Sequence, residues 1–345
     1  MKKRRVLVVT QQELVPPDSL QGLDDQERYA IAMEVDVIGA LRKMGHEVQV
    51  LGLGDEIVAV RRALEEHRPH LAFNLLNQFR GVRLYESYVV SHLELLRCPY
   101  TGCNPRGLLL CGDKALTKKI LRFHRIPTPG FGVIARGHKV HVPRRLRFPL
   151  FVKAASEESS TGIAQASVVN DEAALRERVG FVHEKLASAA LVEEYVAGRE
   201  LYIGVVGNQR LQALPVWEMT FKNLPEGAEP IATAKVKWDL AYQKRVGIRT
   251  GRADALPEGA ERRIAHLAKR AYRVLGLSGY ARLDLRLSED GRVSILEVNP
   301  NPDLCADEDF AASAKAAGCD YPALLARLMS LGLRRAASFS GGASG

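Results

Sequence analysis

The sequence predicts an α/β (α+β) architecture: a parallel-sheet unit over the first 104 residues, then antiparallel sheets with interleaved helices. Three observations carry this. Short apolar runs alternate with amphipathic segments between Val6 and Arg97, the strand–helix rhythm of parallel strands joined by crossover helices. From Phe148 to Trp217 the chain is mostly short strand-like runs and turn residues, which reads as antiparallel sheet. Finally, Tyr280–Asp303 holds two strand-like runs on either side of Asp290-Gly291, the strongest short hairpin signal.

In order, Val6–Val9 is the first strand. Asp24 or Asp25 caps a long helix through Met44, which Gly45 ends. His46–Leu53 is a strand, Asp55–His67 a helix, His70–Leu75 a strand and Tyr85–Arg97 a helix. Gly52-x-Gly54 is only a weak phosphate signal. Ala115–His124 is a basic helix, and Ile126-Pro127-Thr128-Pro129 cannot be helical and marks a linker. Phe131–Ile134 and Phe148–Lys153 are strands, and Ser156–Gly162 is a small polar loop. Ile163–Val169 is a strand, with Asn170 capping the helix that follows. Leu191–Val196, Glu200–Val206 and Leu211–Trp217 are further strands. Residues 218–256 offer no clear element and are rich in Lys and Arg, as expected of a lid or a disordered segment. Pro257–Leu275 is an amphipathic helix, and another helix starts near Asp309. Arg334–Gly345 is small and polar and is expected to be disordered. The expected units are therefore 1–104, 105–197 and 198–333, with a tail at 334–345.

The 345 residues carry a net charge of +9, with 46% hydrophobic and 26% charged residues, a globular composition. Lys and Arg are scattered and aromatics are only 6%, so stacking platforms for nucleic acid are scarce. An anionic small substrate accounts for the charge equally well. No apolar stretch approaches the length of a membrane span, and the Val6–Val9 run is too short for a signal peptide. Five cysteines without C-x-x-C spacing read as reduced thiols in a cytoplasmic protein. His138 and His141 are a weak metal signal.

The hairpin carries the chemistry. With Asp290-Gly291 as a two-residue turn, Glu289 pairs with Arg292, Asp284 faces Glu297 and Arg282 faces Asn299. Period-two alternation puts the last four on one face. A three-residue loop would shift the register and undo this pairing. Opposed carboxylates about 5 Å apart repel by about 3 kcal/mol at an effective dielectric near 20. A cation resolves the conflict, and the all-oxygen set of Asp284, Glu297 and Asn299 suits magnesium bound together with substrate phosphates. The competing interpretation is a solvated face on which Arg282 neutralises Asp284. Lys114 and Lys153 stand at element ends, and the Ser/Thr/Gly loop can wrap phosphates. Together these suggest a nucleoside triphosphate site, although no G-x-x-x-x-G-K-[ST] is present.

Four motifs occur in order: Pro99-Tyr100-Thr101-Gly102 with Asp113-Lys114, then Ile126-Pro127-Thr128-Pro129. Val192-Glu193-Glu194-Tyr195-Val196-x-Gly198-Arg199-Glu200 follows, and then Gly279–Asp284 with Leu296-Glu297-Val298-Asn299. By these, the chain from Val6 to Leu331 resembles the ATP-grasp enzymes, and within them the D-alanine–D-alanine ligase-like family. The resemblance implies a Rossmann-like parallel-sheet domain followed by a two-lobed ATP-grasp fold. It further implies that Lys114 and Lys153 contact ATP phosphates, and that Ser159, Ser160, Thr161 and Gly162 form the loop over the triphosphate. By the same resemblance Glu193, Glu194, Tyr195 and Val196 would pair with adenine, Glu200 would hold the ribose hydroxyls, and Leu296 would pack on the base. Asp284, Glu297 and Asn299 would bind two magnesium ions, with manganese able to substitute. Arg282 would stabilise the oxyanion, with Ser160 and Lys235 as further catalytic residues; Lys237 is the alternative to Lys235.

The expected function is an ATP-dependent carboxylate–amine ligase acting through an acyl phosphate on amino acids or a small peptide. The expected partners are small molecules, without nucleic acid or membrane, and a homodimer is the candidate assembly. The alternative is an ATP-binding module of the same fold without ligase activity; a nucleic-acid-associated basic protein is a weaker third. The acceptor half departs from the family pattern. Thr10-Gln11-Gln12-Glu13 lacks the family's glycines, leaving Glu13 as the candidate for an ammonium. Asn77-Gln78 replaces a His-Gly, and Asp303 stands where the family has a glycine.

Overall fold

The computed structural model describes residues 2–156 and 160–340. The first sheet contains β1 (Arg5–Gln11), β2 (Glu47–Leu53) and β3 (Leu71–Asn74), all parallel, in the order β2-β1-β3. Val6 to Val9 are wholly buried because helices cover both faces, the normal setting of a parallel sheet. The long helix expected after Asp24 is two: α1 (Asp25–Ala30) and α2 (Ala32–Lys43), broken at Ile31. Asp24 caps α1 reciprocally with Glu27, and Gly45 leaves α2 at φ +83. α3 (Val58–His67), α4 (Glu86–Leu95) and α5 (Pro105–Gly112) follow. Gly52 has a packing role: a Cβ there would stand 2.5 Å from Val15 Cγ2 and 3.1 Å from the Gln12 Cα.

α6 (Lys114–Phe123) leads into an antiparallel sheet of β4 (Phe131–Ile134), β5 (Leu150–Ala154), β6 (Val168–Val169) and β7 (Ala190–Glu194). Its order is β4-β7-β5-β6, backed by α7 (Glu172–Lys185). The strand expected over Ile163–Val169 survives only as β6. Residues Gln165–Ser167 turn instead, with the Ser167 hydroxyl bonded to the Ala164 amide and to Arg178. The cap of α7 is Asp171, not Asn170; its carboxylate accepts from the Ala174 amide at 2.8 Å.

The third sheet holds β8 (Arg199–Val206), β9 (Gln212–Ala213), β10 (Trp217–Phe221), β11 (Ile248–Arg252), β12 (Tyr280–Leu287) and β13 (Val293–Pro300). Its order is β11-β10-β8-β12-β13, with β9 on β8. The strand expected over Leu211–Trp217 splits at Pro215, which has no N–H for the ladder. Segment 218–256 is also more ordered than its composition suggests. It contains most of β10, all of β11 and two short helices, α8 (Ala234–Trp238) and α9 (Leu240–Val246), capped by Thr233 and Asp239. One face of this sheet is apolar. Leu201, Ile203, Leu283 and Leu285 pack on Ile264, Ala268 and Tyr272 of α10 (Ala260–Val274). The other face is polar and forms the site.

α11 (Asp309–Ala316) and α12 (Tyr321–Ser340) end the described chain. α12 returns to the first sheet, where Leu324 and Leu328 join Val6, Val8 and Phe73 in one core. The tail expected to be disordered from Arg334 is therefore helical to Ser340; 341–345 lie outside the described residues. Arg335 gives the reason. Its buried guanidinium donates to Gly102 O (2.7 Å), Ser278 Oγ (2.6 Å) and Tyr100 O (3.0 Å), and stands 3.9 Å over the Tyr100 ring. Arg335→Ala should lower unfolding free energy by about 3 kcal/mol, since it orphans buried carbonyls. A urea titration checks this; an unchanged midpoint would refute the anchoring role. The five cysteines are all free, and no described helix is long and apolar enough to cross a membrane.

Candidate active site

The hairpin places the acids by a route the sequence did not suggest. Leu287 pairs with Val293, and the Ser288 amide donates to Arg292 O at 3.0 Å. The loop is thus three residues, Glu289-Asp290-Gly291, with only Gly291 at positive φ (+79). The expected two-residue turn and the Glu289–Arg292 pair are both corrected. Left alone, this loop would put Asp284 opposite Leu296 and turn Glu297 away. A β-bulge between Asp284 and Leu285 compensates: Leu285 pairs with Ile295, yet Asp284 pairs with Glu297 and Arg282 with Asn299. Leu296 is the extra residue, and it lines the pocket beside Glu297.

Asp284 and Glu297 therefore share a face with Arg282, Arg286 and Asn299 from the hairpin, and with Glu200 and Tyr202 from β8. Fixed cations meet these acids. Lys114, at the first turn of α6, places Nζ 2.8 Å from Glu297 Oε1. Arg282 grips Asp284 with Nε at 2.8 Å and Nη2 at 3.1 Å, and Asn299 Nδ2 donates to Asp284 at 3.1 Å. The pairing of Arg282 with Asp284 weighed from the sequence thus coexists with the Asp284–Glu297 juxtaposition. Burial alone would raise the Glu297 carboxyl, but Lys114 and Lys153 outweigh it and hold it well below the usual carboxylate range. Burial draws the Lys114 ammonium below its ordinary value while Glu297 opposes the shift. At 2.8 Å, buried and flanked by further cations on the acid's side, the pair is best described as ionised.

A second cluster lies opposite, on the central sheet. Glu193 of β7 receives Lys153 Nζ at 2.8 Å and Lys118 Nζ at 2.5 Å, all three buried. Lys118 also donates to Thr128 Oγ1 at 2.9 Å. Burial, reinforced by Lys153, draws Lys118 down to about 8 against the pull of Glu193. Sequence reasoning missed Lys118. Its signal was its position four residues after Lys114 on an amphipathic helix, which puts both ammoniums on one face.

Between the clusters lies one pocket. Lys114, Lys153, Ser160 and Thr161 line it, as do Glu193, Glu194, Tyr195 and Val196. Glu200, Asp284, Leu296 and Glu297 form its floor. Ser159 lies outside the described residues. Gly162 is not among the lining residues. It sits at φ +71 with its carbonyl accepting from Arg178, and a Cβ there would strike Leu186. Lys235 is a correction. It faces solvent from α8, whereas Lys237, two residues and more than half a turn away, points into the pocket. Burial, then Arg282, lowers the Lys237 ammonium's affinity for its proton.

A second cavity adjoins the first and shares Tyr202, Lys237, Asp284 and Glu297 with it. Arg282, Asn299 and Asp303 line it, under a roof in which Tyr29 meets Trp238 edge-on at 6.2 Å. Its wall is acidic. Burial pushes the Glu86 carboxyl up to about 7, and burial with Asp303 and Asp309 pushes Glu308 up to about 7. Asn77 also lines it, but Glu13 does not: it is exposed and bonded to Gln11 Nε2 at 3.0 Å. The proposed ammonium role of Glu13 is thereby corrected.

The donor set fits a hard divalent cation that arrives with phosphates. Two carboxylates, Asp284 and Glu297, converge beside the Asn299 amide, whose Nδ2 donates to Asp284, and no group of three or more His, Cys, Asp or Glu among the described residues could hold a metal by itself.

Residues 122–330 match the family model for the D-ala D-ala ligase C-terminus. The chain is 31% identical over 322 residues to a D-alanine–D-alanine ligase of Desulforudis audaxviator, covering 91% of this chain and 97% of that protein. It is 30% identical over 322 residues to the corresponding ligase of Nitratidesulfovibrio vulgaris (strain DP4), with the same coverage. An uncharacterized protein of Sinorhizobium fredii, y4sG, is 32% identical over 311 residues, 87% of each chain. Among solved structures, the D-alanine–D-alanine ligase of Bacillus anthracis complexed with ATP superposes with a TM-score of 0.75 at 23% identity, covering 97% of this chain and 99% of that one.

Proposed function

Because the chain belongs to the D-alanine–D-alanine ligase family, we propose that Lys114, Lys153, Lys237, Asp284 and Glu297 form its phosphoryl-transfer centre. The protein is an ATP-dependent carboxylate–amine ligase acting on small molecules. The observation that supports the site assignment is the bulge-set pairing of Asp284 with Glu297 where the two cavities join.

In this reading ATP lies in the first pocket. Backbone groups of Glu193–Val196 pair with adenine, Leu296 packs on it, and Glu200 faces the ribose. Lys114, Lys153 and the Ser160–Thr161 loop hold the triphosphate, and Lys237 meets the γ-phosphoryl at the passage between cavities. Asp284, Glu297 and Asn299 hold divalent cations, two magnesium ions in the proposed count. When bound, these would offset charge on the phosphoryl oxygens. The carboxylate substrate enters through the second cavity and takes the γ-phosphoryl, forming an acyl phosphate and ADP. An amine then attacks the acyl carbon, phosphate leaves, and a C–N bond forms. Arg282, held by Asp284, faces the developing oxyanion, a contribution of roughly 3–4 kcal/mol for one donor. Residues 229–238 cover the centre and keep out water that would hydrolyse the acyl phosphate.

The acceptor end differs from the family pattern, and its acidic wall supports amines or basic amino acids over D-alanine alone. We also propose the units 1–104, 105–197 and 198–333 with α12 returning to the first, a cytoplasmic location and a homodimer. The test is phosphate release from ATP and magnesium across a panel of D- and L-amino acids, diamines and dipeptides. Release stimulated at least about tenfold by a particular acid–amine pair, with the condensed product in the mass spectrum, is the expected result. ATP binding without stimulated release across the panel would instead support a module without ligase activity.

A further inference from the structure

Arg286 is a buried cation on the site face that the ligase chemistry above does not use. It lies on β12, two residues after Asp284, opposite Glu200 of β8. Its Nη2 donates to Glu200 Oε2 at 2.8 Å and to Pro230 O at 2.7 Å, and its Nη1 donates to Gly198 O at 2.7 Å. One planar guanidinium thus joins the acid at the sugar side of the pocket, the bend before β8 and the segment that leads to Lys237. A lysine has no such fork.

The Pro230 contact is one of several at the root of that segment. Glu229 and Gln165 exchange reciprocal bonds at 2.9 and 3.0 Å, and Tyr195 donates to Glu229 Oε2 at 2.7 Å. The Ala234 amide donates to Ile163 O at 2.9 Å, just beyond the phosphate loop. Thr233 then caps α8, whose first turn ends at Lys237. Of these contacts, only Arg286 also holds an acid of the pocket floor.

We propose that Arg286 is a positioning residue that couples the ribose carboxylate Glu200 to the segment carrying Lys237, so that seating the nucleotide sugar fixes the phosphate lysine. The inference rests on the assignment of the first pocket to ATP. Sugar hydroxyls bonded to Glu200 tighten an acid already clamped by Arg286, and the clamp's other arm holds Pro230. A nucleotide lacking those hydroxyls loses both the direct contact and its effect on the segment.

The test uses the full chain with ATP and 2′,3′-dideoxy-ATP. Calorimetry gives affinities, and trypsin cleavage within the Lys- and Arg-rich residues 222–252 reports the segment. Wild type should prefer ATP by about tenfold, and ATP should slow cleavage about tenfold where the dideoxy analogue does not. Arg286→Met should bring the two affinities within about twofold and abolish the protection. Arg286→Lys, which keeps the charge and tests the idea if the Met variant fails to fold, should retain the sugar preference but lose protection. Protection of Arg286→Lys equal to wild type would overturn the coupling, as would cleavage of wild type unaffected by ATP. Absence of ATP binding by wild type would instead overturn the pocket assignment itself.

Discussion

Glu297→Gln should lower ATP-dependent turnover about a thousandfold, or about 4 kcal/mol in transition-state stabilisation, while the fold remains intact. The side chain keeps its shape but loses the charge that a hard cation needs. It also removes the counter-charge 2.8 Å from Lys114. The amide oxygen of Gln can still accept from the Lys114 ammonium, so the buried donor keeps a hydrogen bond. Folding should therefore survive while catalysis does not. Parallel measurement of phosphate release and the thermal midpoint checks this. Turnover near wild type would remove Glu297 from the catalytic centre.

Lys237→Met should lower kcat about a hundredfold, and Lys235→Met should stay within about twofold of wild type. The two lysines share a short helix and a composition, so the contrast isolates direction. Lys237 lines both cavities beside Asp284 and Glu297; Lys235 faces solvent. Loss of the ammonium at the cavity junction should fall on kcat more than on the KM for ATP, because in the proposed arrangement Lys114 and Lys153 still hold the triphosphate. Equal losses in the two variants would show that charge in the segment, and not its placement, matters.

Much of this arrangement was legible because it rests on short-range rules. Buried parallel strands showed as Val6–Val9, and the hairpin showed as two alternating runs around Asp290-Gly291. The opposition of Asp284 and Glu297 was inferred with the right partners but from the wrong turn. A three-residue loop and a compensating bulge at Leu296 give the same pairing there as a two-residue loop without one. A bulge has no local signature strong enough to read, since it depends on what the neighbouring strand offers. Segment 218–256 was opaque for a similar reason. Its helices are five and seven residues long, too short to show a period, and are held by Thr233, Asp239 and contacts from Gln165, Tyr195 and Arg286. Lys235 and Lys237 could not be told apart without the helix that separates them. Lys118 and Arg286 carry little signal in the sequence, where a lone cation is usually a surface charge; only folding brings Glu193 and Glu200 to them.

The most direct test of the central claim is manganese binding followed by electron paramagnetic resonance, with a non-hydrolysable ATP analogue present. The wild-type chain should bind manganese together with the nucleotide, and Asp284→Asn and Glu297→Gln should each lose that protein-bound signal while remaining folded. Undiminished protein-bound manganese in both variants would contradict the assignment of a cation to the paired acids of the hairpin.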